Sequence, residues 1–219
     1  MDIQFPTIYH QNYIRYITNF CKMNRISLFL CGSISKNTAK KFSDIDLVMQ
    51  GHITGKLLDK LILGYDKIIM TNYTETPKGI IILNYHNLIS IDLDIRYKVV
   101  TSELKESLIL CDYGWEIGTR KVRKKITSKM IFPKPDWHKT LRLIHRCLIK
   151  YLCEEDKTVT NLINDIIKDI KTECNVILDK DQNILSILTN ALLVLDTKYK
   201  IDNDIIKMLQ KLLGYAGMR

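Results

Sequence analysis

The chain has 219 residues, of which 46% are apolar and 26% charged, so it can bury a sizeable core in one or two domains. No apolar run approaches the roughly 18 residues of a membrane span, and no basic stretch followed by an apolar run marks a signal peptide, so we expect a cytoplasmic protein with no membrane partner. The net charge is +9, and residues 96–150 carry all of that excess, which indicates a surface that faces a polyanion.

The first elements alternate between helical and extended patterns. Apolar residues recur at helical spacing over residues 9–24, and residues 26–31 form a short apolar run typical of a buried strand. A Gly32-Ser33 turn follows, and residues 34–41 are compatible with a helix. These patterns predict a strand that ends in a tight turn, with backbone N–H groups suited to a phosphate.

Two acidic residues lie at alternate positions of the next apolar strand. Asp44 and Asp46 begin a run that extends to Met49, and strand alternation places both carboxylates on one face. Adjacent carboxylates repel each other unless a cation lies between them, which suggests divalent metal binding. A phosphate site beside a metal pair is typical of phosphoryl or nucleotidyl transfer.

The rest of the first half predicts one helix and three strands. Residues 53–64 form an amphipathic helix closed by Gly64. Apolar runs at residues 65–70, 79–84 and 88–95 predict strands, the last two joined by a hairpin turn. Together with the earlier elements, they predict a mixed, twisted sheet flanked by helices.

Gly32-Ser33, nine further residues and then residues 43–47 (Ser-Asp-Ile-Asp-Leu) resemble the signature of the polymerase β-like nucleotidyltransferase superfamily. The resemblance covers roughly residues 26–95. It implies a third carboxylate on a later strand, where Asp92 and Asp94 are the candidates. Strand alternation places both on one face; we favour Asp92, because apolar residues flank it on both sides.

The resemblance also implies a mechanism and a set of binding residues. Asp44, Asp46 and the third carboxylate would hold two Mg²⁺ ions, for which Mn²⁺ can substitute. The reaction would transfer NMP from an NTP donor, with ATP the first choice, to a hydroxyl acceptor. The expected nucleotide-binding residues are Gly32, Ser33, Lys36 and Ser43. The chain departs from the signature at residues 35–37 (Ser-Lys-Asn), where many members have a small residue, Arg and Gly; Lys36 can replace the cation, whereas Asn37 replaces the glycine.

Only helical patterns follow residue 130. Prolines at 133 and 135 indicate a linker, and residues 136–153, 159–173, 182–197 and 202–213 have helical apolar spacing. The sequence thus predicts an α+β protein with a nucleotidyltransferase-type mixed sheet flanked by helices and a C-terminal helical bundle. The predicted domains are residues 1–130, the nucleotidyltransferase domain, and 131–219, the helical domain.

The basic residues bear on the acceptor. A cationic antibiotic would prefer an acidic cleft, so the basic charge favours RNA or another phosphate-rich acceptor over a small-molecule, antibiotic-type acceptor. A third hypothesis is a catalytically silent member of the fold that binds nucleic acid or protein, and a solvated basic face is the plainest alternative for the charge itself. No oligomeric state is predicted. The candidate polyanion-binding residues are Arg120, Lys121, Arg123, Lys124, Lys125, Lys139, Arg142 and Arg146.

Overall fold

The structure is a computed structural model that describes residues 3–74, 79–131 and 134–219. The chain divides into two compact units, Met1–Pro133 and Lys134–Arg219. The first unit contains α1 (Ile8–Met23), β1 (Ser27–Cys31), α2 (Gly32–Ser35), β2 (Ile45–Gln50), α3 (Gly55–Leu63), β3 (Ile68–Tyr73), β4 (Ile81–Tyr85), β5 (Ser90–Lys98), α4 (Thr101–Glu106), β6 (Leu108–Cys111) and β7 (Val122–Arg123). The second unit contains α5 (Asp136–Leu152), α6 (Asp156–Cys174), α7 (Ile184–Tyr199) and α8 (Asn203–Gly217).

The first unit is built on a seven-stranded mixed sheet. Six strands follow the order β3-β4-β5-β2-β1-β6, and β7 pairs with β5. The β2·β5 pair is parallel, whereas the other strand pairs of the sheet are antiparallel. The two central strands of this path, β5 and β2, are therefore parallel neighbours and present their residues in matched order.

One face of the sheet forms the main core. Strand alternation directs Leu47 of β2 and Leu93 of β5 to this face, where both are almost completely buried. The apolar stripes of α1 and α3 cover the same face, for example through Ile17 and Leu61. Burial of this continuous apolar surface is the main source of stability for the unit.

The opposite face carries the acidic residues. Asp46 and Asp92 lie on it, and a small apolar cluster of Phe29, Val48 and Val99 lies further along the same strands. The main core therefore leaves one face of the central strands available for polar chemistry.

The second unit contains four helices, each with an apolar face. Helix α5 buries Leu141, Ile144 and Leu148 at spacings of three and four residues. Helix α6 is capped by Asn175, which follows its last residue, has a left-handed backbone conformation and donates its N–H to the carbonyl of Lys171.

The structure confirms the predicted fold class, an α+β protein with a mixed sheet flanked by helices and followed by C-terminal helices. The prediction that residues 34–41 are helical is wrong. Helix α2 ends at Ser35, and Asn37 has a φ of 54° that a continuing helix does not allow. In the described part of the chain, no helix has both the length and the apolar character needed to cross a membrane.

Candidate active site

Two acidic residues occupy the middle of the sheet on the face opposite the main core, and a third lies just before one of its central strands. Asp46 of β2 lies directly beside Asp92 of β5 in the parallel register, so the two backbones are about 4.8 Å apart. Asp44 immediately precedes β2, two residues before Asp46. All three residues are partly exposed to solvent.

Gly32 is fitted against the carboxylate of Asp46. Cys31 pairs with Asp46 across β1 and β2, and the chain then turns at Gly32 with a φ of +70°. A Cβ atom on Gly32 would lie 1.9 Å from Oδ2 of Asp46, far inside van der Waals contact. Two reasons favour glycine at this position. Other residues are strained at this φ, and the carboxylate of Asp46 occupies the space that a side chain would need.

The connection from α2 to β2 is held by a series of hydrogen bonds. The backbone N–H of Thr38 donates to the carbonyl of Ser33 over 2.9 Å. The hydroxyl of Ser43 accepts from the backbone N–H of Lys40 over 2.8 Å, and the N–H of Ser43 donates to the carbonyl of Lys40 over 2.9 Å. Ser43 thus closes a turn immediately before Asp44, while Lys36 lies exposed at the end of α2.

A buried histidine contacts this connection from α1. His10, only 2% exposed, lies with Nε2 3.0 Å from the carbonyl oxygen of Ser43. Its Nδ1 lies 2.7 Å from the hydroxyl oxygen of Thr7, the N-cap of α1. Burial lowers the pKa of His10, while the carbonyl of Ser43 and the charge of Asp44 act in the opposite direction.

Asp94 is on the same face but in different surroundings from Asp92. It is 4% exposed and accepts hydrogen bonds from Nε and Nη2 of Arg96, over 3.0 and 2.8 Å. Nε of Arg123 on β7 donates to the same carboxylate over 3.1 Å. Asp94 therefore belongs to a buried ionic network, which favours Asp92 over Asp94 as the third carboxylate of the site.

The ionic network extends to α4. Nη1 of Arg96 lies 2.6 Å from Oε2 of Glu103, whose Oε1 lies 3.3 Å from Nζ of Lys121. Burial opposes the charged form of Arg96, but its hydrogen bonds to Asp94 and Glu103 prevail and raise its pKa. Burial likewise opposes ionisation of Glu103, yet its hydrogen bond from Arg96 leaves its pKa lowered, so both Arg96 and Glu103 are charged at neutral pH.

Cys31, beside Asp46 on the neighbouring strand, is a thiol rather than a thiolate. Burial, reinforced by the negative charge of Asp46, raises the pKa of Cys31 to about 12. Its Sγ lies 3.5 Å from the backbone carbonyl oxygen of Asp46, to which the thiol donates. The candidate site therefore offers oxygen ligands and an inert sulfur.

The acidic residues present suit a hard divalent cation. Asp44, Asp46 and Asp92 supply carboxylate oxygens, the ligand type that Mg²⁺ and Mn²⁺ prefer. Among residues 3–74, 79–131 and 134–219, no group of three or more His, Cys, Asp or Glu side chains is arranged to hold a metal ion. Mg²⁺ is commonly bound by one or two carboxylates together with water and substrate phosphates, and the neighbouring Asp46 and Asp92 fit that mode.

The basic residues predicted to bind polyanions fall into several environments. All four of Arg120, Lys121, Arg123 and Lys125 are exposed, and Lys121 and Arg123 also pair with Glu103 and Asp94. Nζ of Lys124 lies 5.5 Å from the ring centre of Tyr97. In the second unit, Lys139 pairs with Asp169 over 3.0 Å, and Arg142 and Arg146 lie on the same helix, α5.

Two residues of this site were not predicted from the sequence. His10 is an isolated histidine in a helical pattern, and nothing in that pattern indicates a contact with Ser43. Arg123 was assigned to a polyanion surface, because the sequence does not reveal that the two-residue strand β7 pairs with β5 and brings Arg123 to Asp94.

Comparison with known proteins gives little further information. No family model and no curated protein matches the chain. Among solved structures, a STING-associated CdnE c-di-GMP synthase from Capnocytophaga granulosa is similar at 16% identity, with a TM-score of 0.26, over 96% of this chain and 80% of that chain.

Proposed function

We propose that the chain is a divalent-metal-dependent nucleotidyltransferase that transfers NMP from an NTP, with ATP the first candidate, to a hydroxyl acceptor and releases pyrophosphate. One observation carries the proposal. Asp46 and Asp92 lie side by side on parallel strands, partly exposed, and the carboxylate of Asp46 is packed against the turn at Gly32. The proposed site thus contains a pair of carboxylates beside a turn that is suited to binding phosphate.

Metal ions bound at these carboxylates would neutralise charge on the phosphates and lower the pKa of the attacking hydroxyl. The role of the chain is to hold the oxygen ligands in fixed positions. Asp46 on β2 and Asp92 on the neighbouring β5 would bind the metal, with Asp44, just before β2, as a further ligand; the carboxylate of Asp92 could also accept the proton of the attacking hydroxyl. The parallel pairing of β2 and β5 supports a fixed spacing between Asp46 and Asp92.

The nucleotide would be held by the turn and the connection that follow β1. Backbone N–H groups at Gly32 and Ser33, the hydroxyl of Ser33 and the ammonium group of Lys36 are the proposed phosphate contacts. Ser43 contributes by closing the turn before Asp44, since its hydroxyl accepts from the N–H of Lys40. The acidic groups would thus hold the metal and the basic group would contact the phosphates.

For the acceptor we propose RNA or another phosphate-rich molecule. The basic excess of residues 96–150 supports this choice, and Arg120 and Lys125 are exposed side chains that a polyanion could contact. A cationic antibiotic acceptor fits this charge poorly, because like charges would oppose its approach.

The test is incubation of the purified protein with each labelled NTP and Mg²⁺, with and without RNA, followed by separation of the products. We expect pyrophosphate release and a labelled product with at least one NTP, and a larger thermal shift with ATP and Mg²⁺ together than with ATP alone. Asp44→Asn and Asp46→Asn should abolish transfer while the fold survives, because they remove metal ligands from a partly exposed site. Full activity in either variant would overturn the metal assignment.

The same experiment distinguishes a catalytically silent protein. A protein that binds ATP or RNA but yields no product with any NTP, in Mg²⁺ or Mn²⁺, would be a binding module. The exposed His52→Gln is a suitable control, because it changes a side chain of the same unit away from the acidic residues.

A further inference from the structure

We infer that His10 is a positioning residue for Asp44: its ring holds the carbonyl of Ser43 and so fixes the backbone from which the Asp44 side chain projects, immediately before β2. This inference rests on the proposed function and adds a residue to that site. His10 is 2% exposed, although it lies on the first turn of α1, and both of its ring nitrogens have partners.

The hydrogen-bond partners define the state of the ring. A backbone carbonyl can only accept, so Nε2 of His10 carries the hydrogen that bonds to Ser43 over 3.0 Å. In the neutral ring Nδ1 then accepts from the hydroxyl of Thr7 over 2.7 Å. The oxygen of that hydroxyl also accepts from the backbone N–H of His10 over 3.4 Å. The N-cap of α1 and the ring therefore orient each other.

The hydrogen bond between His10 and Ser43 bears on Asp44, because Ser43 directly precedes Asp44 in the chain. The N–H and hydroxyl of Ser43 bond to Lys40, and its carbonyl bonds to His10. The peptide bond between Ser43 and Asp44 includes that carbonyl, so holding it restricts the backbone from which the Asp44 side chain projects.

A second contact from the N-terminal segment supports the same role. The backbone N–H of Gln4 donates to Oδ1 of Asn37 over 3.0 Å. Gln4 and His10 thus contact the connection from α2 to β2 at its two ends, at Asn37 and at Ser43. The N-terminal segment holds this connection at both ends, and His10 provides the buried, directional contact.

The test compares two replacements of His10. His10→Leu keeps a side chain of similar size but removes the hydrogen bonds to Thr7 and Ser43, whereas the amide of His10→Gln can still donate to Ser43. Tyr65→Phe is the matched control, because its lost hydroxyl bonds to the carbonyl of Tyr9 on the same turn of α1 and not to the connection. Amide hydrogen exchange of residues 40–46 is one readout. The Mg²⁺ concentration giving half of the thermal shift with ATP is the other.

We expect His10→Leu to speed exchange of residues 40–46 and to raise the half-saturating Mg²⁺ concentration about tenfold, the effect of losing an outer contact to a metal ligand. His10→Gln should restore both values to within about threefold of the parent protein, and Tyr65→Phe should change neither. Should His10→Leu fail to fold, Thr7→Val and Thr7→Ser replace it: valine removes the bond to Nδ1 and should act in the same direction, whereas serine retains it.

Unchanged exchange in His10→Leu, or equal changes in Tyr65→Phe, would overturn the inference. So would faster exchange with an unaltered Mg²⁺ requirement, because His10 would then support the loop without positioning a ligand. A parent protein with no Mg²⁺-dependent shift and no transfer contradicts the proposed function instead, and the exchange data still report whether His10 holds the connection.

Discussion

Gly32 lies directly against the carboxylate of Asp46, which occupies the space that a side chain at position 32 would need. Replacing Gly32 with Ala introduces a methyl group where Oδ2 of Asp46 lies and strains a backbone at φ +70°. We expect Gly32→Ala to destabilise the protein by about 1–3 kcal/mol and to lower activity by more than tenfold, because Asp46 must move. Urea unfolding and a transfer assay measure the two effects.

Gly114→Ala is the matched control, since Gly114 also has a positive φ, of 90°, but has no atom within 4 Å of the added methyl group. It should cost stability through the backbone alone and leave activity unchanged. Equal losses of activity in the two variants would show that Asp46 is not the cause.

Asp92 and Asp94 provide a second comparison on one strand face. Asp94→Asn removes the charge that compensates buried Arg96, and breaking such a pair typically costs about 3–5 kcal/mol. Asp92→Asn should change stability by less than about 1 kcal/mol, because Asp92 is partly exposed, yet it should abolish transfer. Denaturant unfolding and the transfer assay together separate the roles. A stable but inactive Asp94→Asn protein with an active Asp92→Asn protein would reverse them.

The sequence narrows the third carboxylate to these two residues and cannot separate them by geometry. Alternation predicts that Asp92 and Asp94 share a face. What distinguishes them is Arg123, which comes from a distant two-residue strand, and the register that places Asp92 beside Asp46. Both depend on pairing between remote segments, which local patterns do not encode.

At the scale of single elements, helix α5 buries a histidine, His145, that makes the stability of the protein depend on pH. His145 is 5% exposed, and burial lowers its pKa to about 4, below its ordinary value of 6.5. As the pH falls below about 6.5, the unfolded chain binds a proton that the folded chain resists, so stability is lost progressively until about pH 4. His145→Gln should remove about 1.4 kcal/mol per pH unit of this dependence.

Free energies of unfolding at pH 7, 6 and 5 test this prediction. His52→Gln serves as the control, because it makes the same replacement at an exposed histidine of the other unit. Parallel curves for the parent and His145→Gln would contradict a neutral, buried imidazole at this position.

Strongly periodic elements were predictable, and short ones were not. The periodicity over residues 9–24 and the apolar run over residues 26–31 correspond to α1 and β1. The segment 34–41 contains helix-compatible residues, but the left-handed Asn37 and the bonds to Ser33 end the helix after one turn. The elements α4, β6 and β7 were not predicted, because they are too short for a clear periodic pattern.

For the molecule as a whole, the basic excess predicts a salt-dependent affinity for RNA. Replacing Arg120, Lys124 and Lys125 with Ala should flatten the dependence of log affinity on log salt by about two units, at about 0.7 per contact with a single strand. We choose these three because Lys121 and Arg123 already bind Glu103 and Asp94. Fluorescence anisotropy with single-stranded RNA at several salt concentrations measures the slope.

The control for net charge is a triple Ala variant of Lys157, Lys168 and Lys171, which are exposed on α6. It should retain the slope of the parent protein if the contacts are local. Absence of RNA binding at physiological salt would remove the nucleic-acid acceptor and leave nucleotidyl transfer itself untouched.

The parallel pairing of β2 with β5 also affects the order in which the protein can fold. The β4·β5 hairpin joins neighbours such as Asn84 and Ser90, whereas β2·β5 joins Asp46 to Asp92 and must close a long loop first. Local hairpins generally form before such distant pairings. Strand content therefore rises during refolding before the carboxylates meet, and recovery of ligand binding is the more faithful measure of how many molecules have reached the native state.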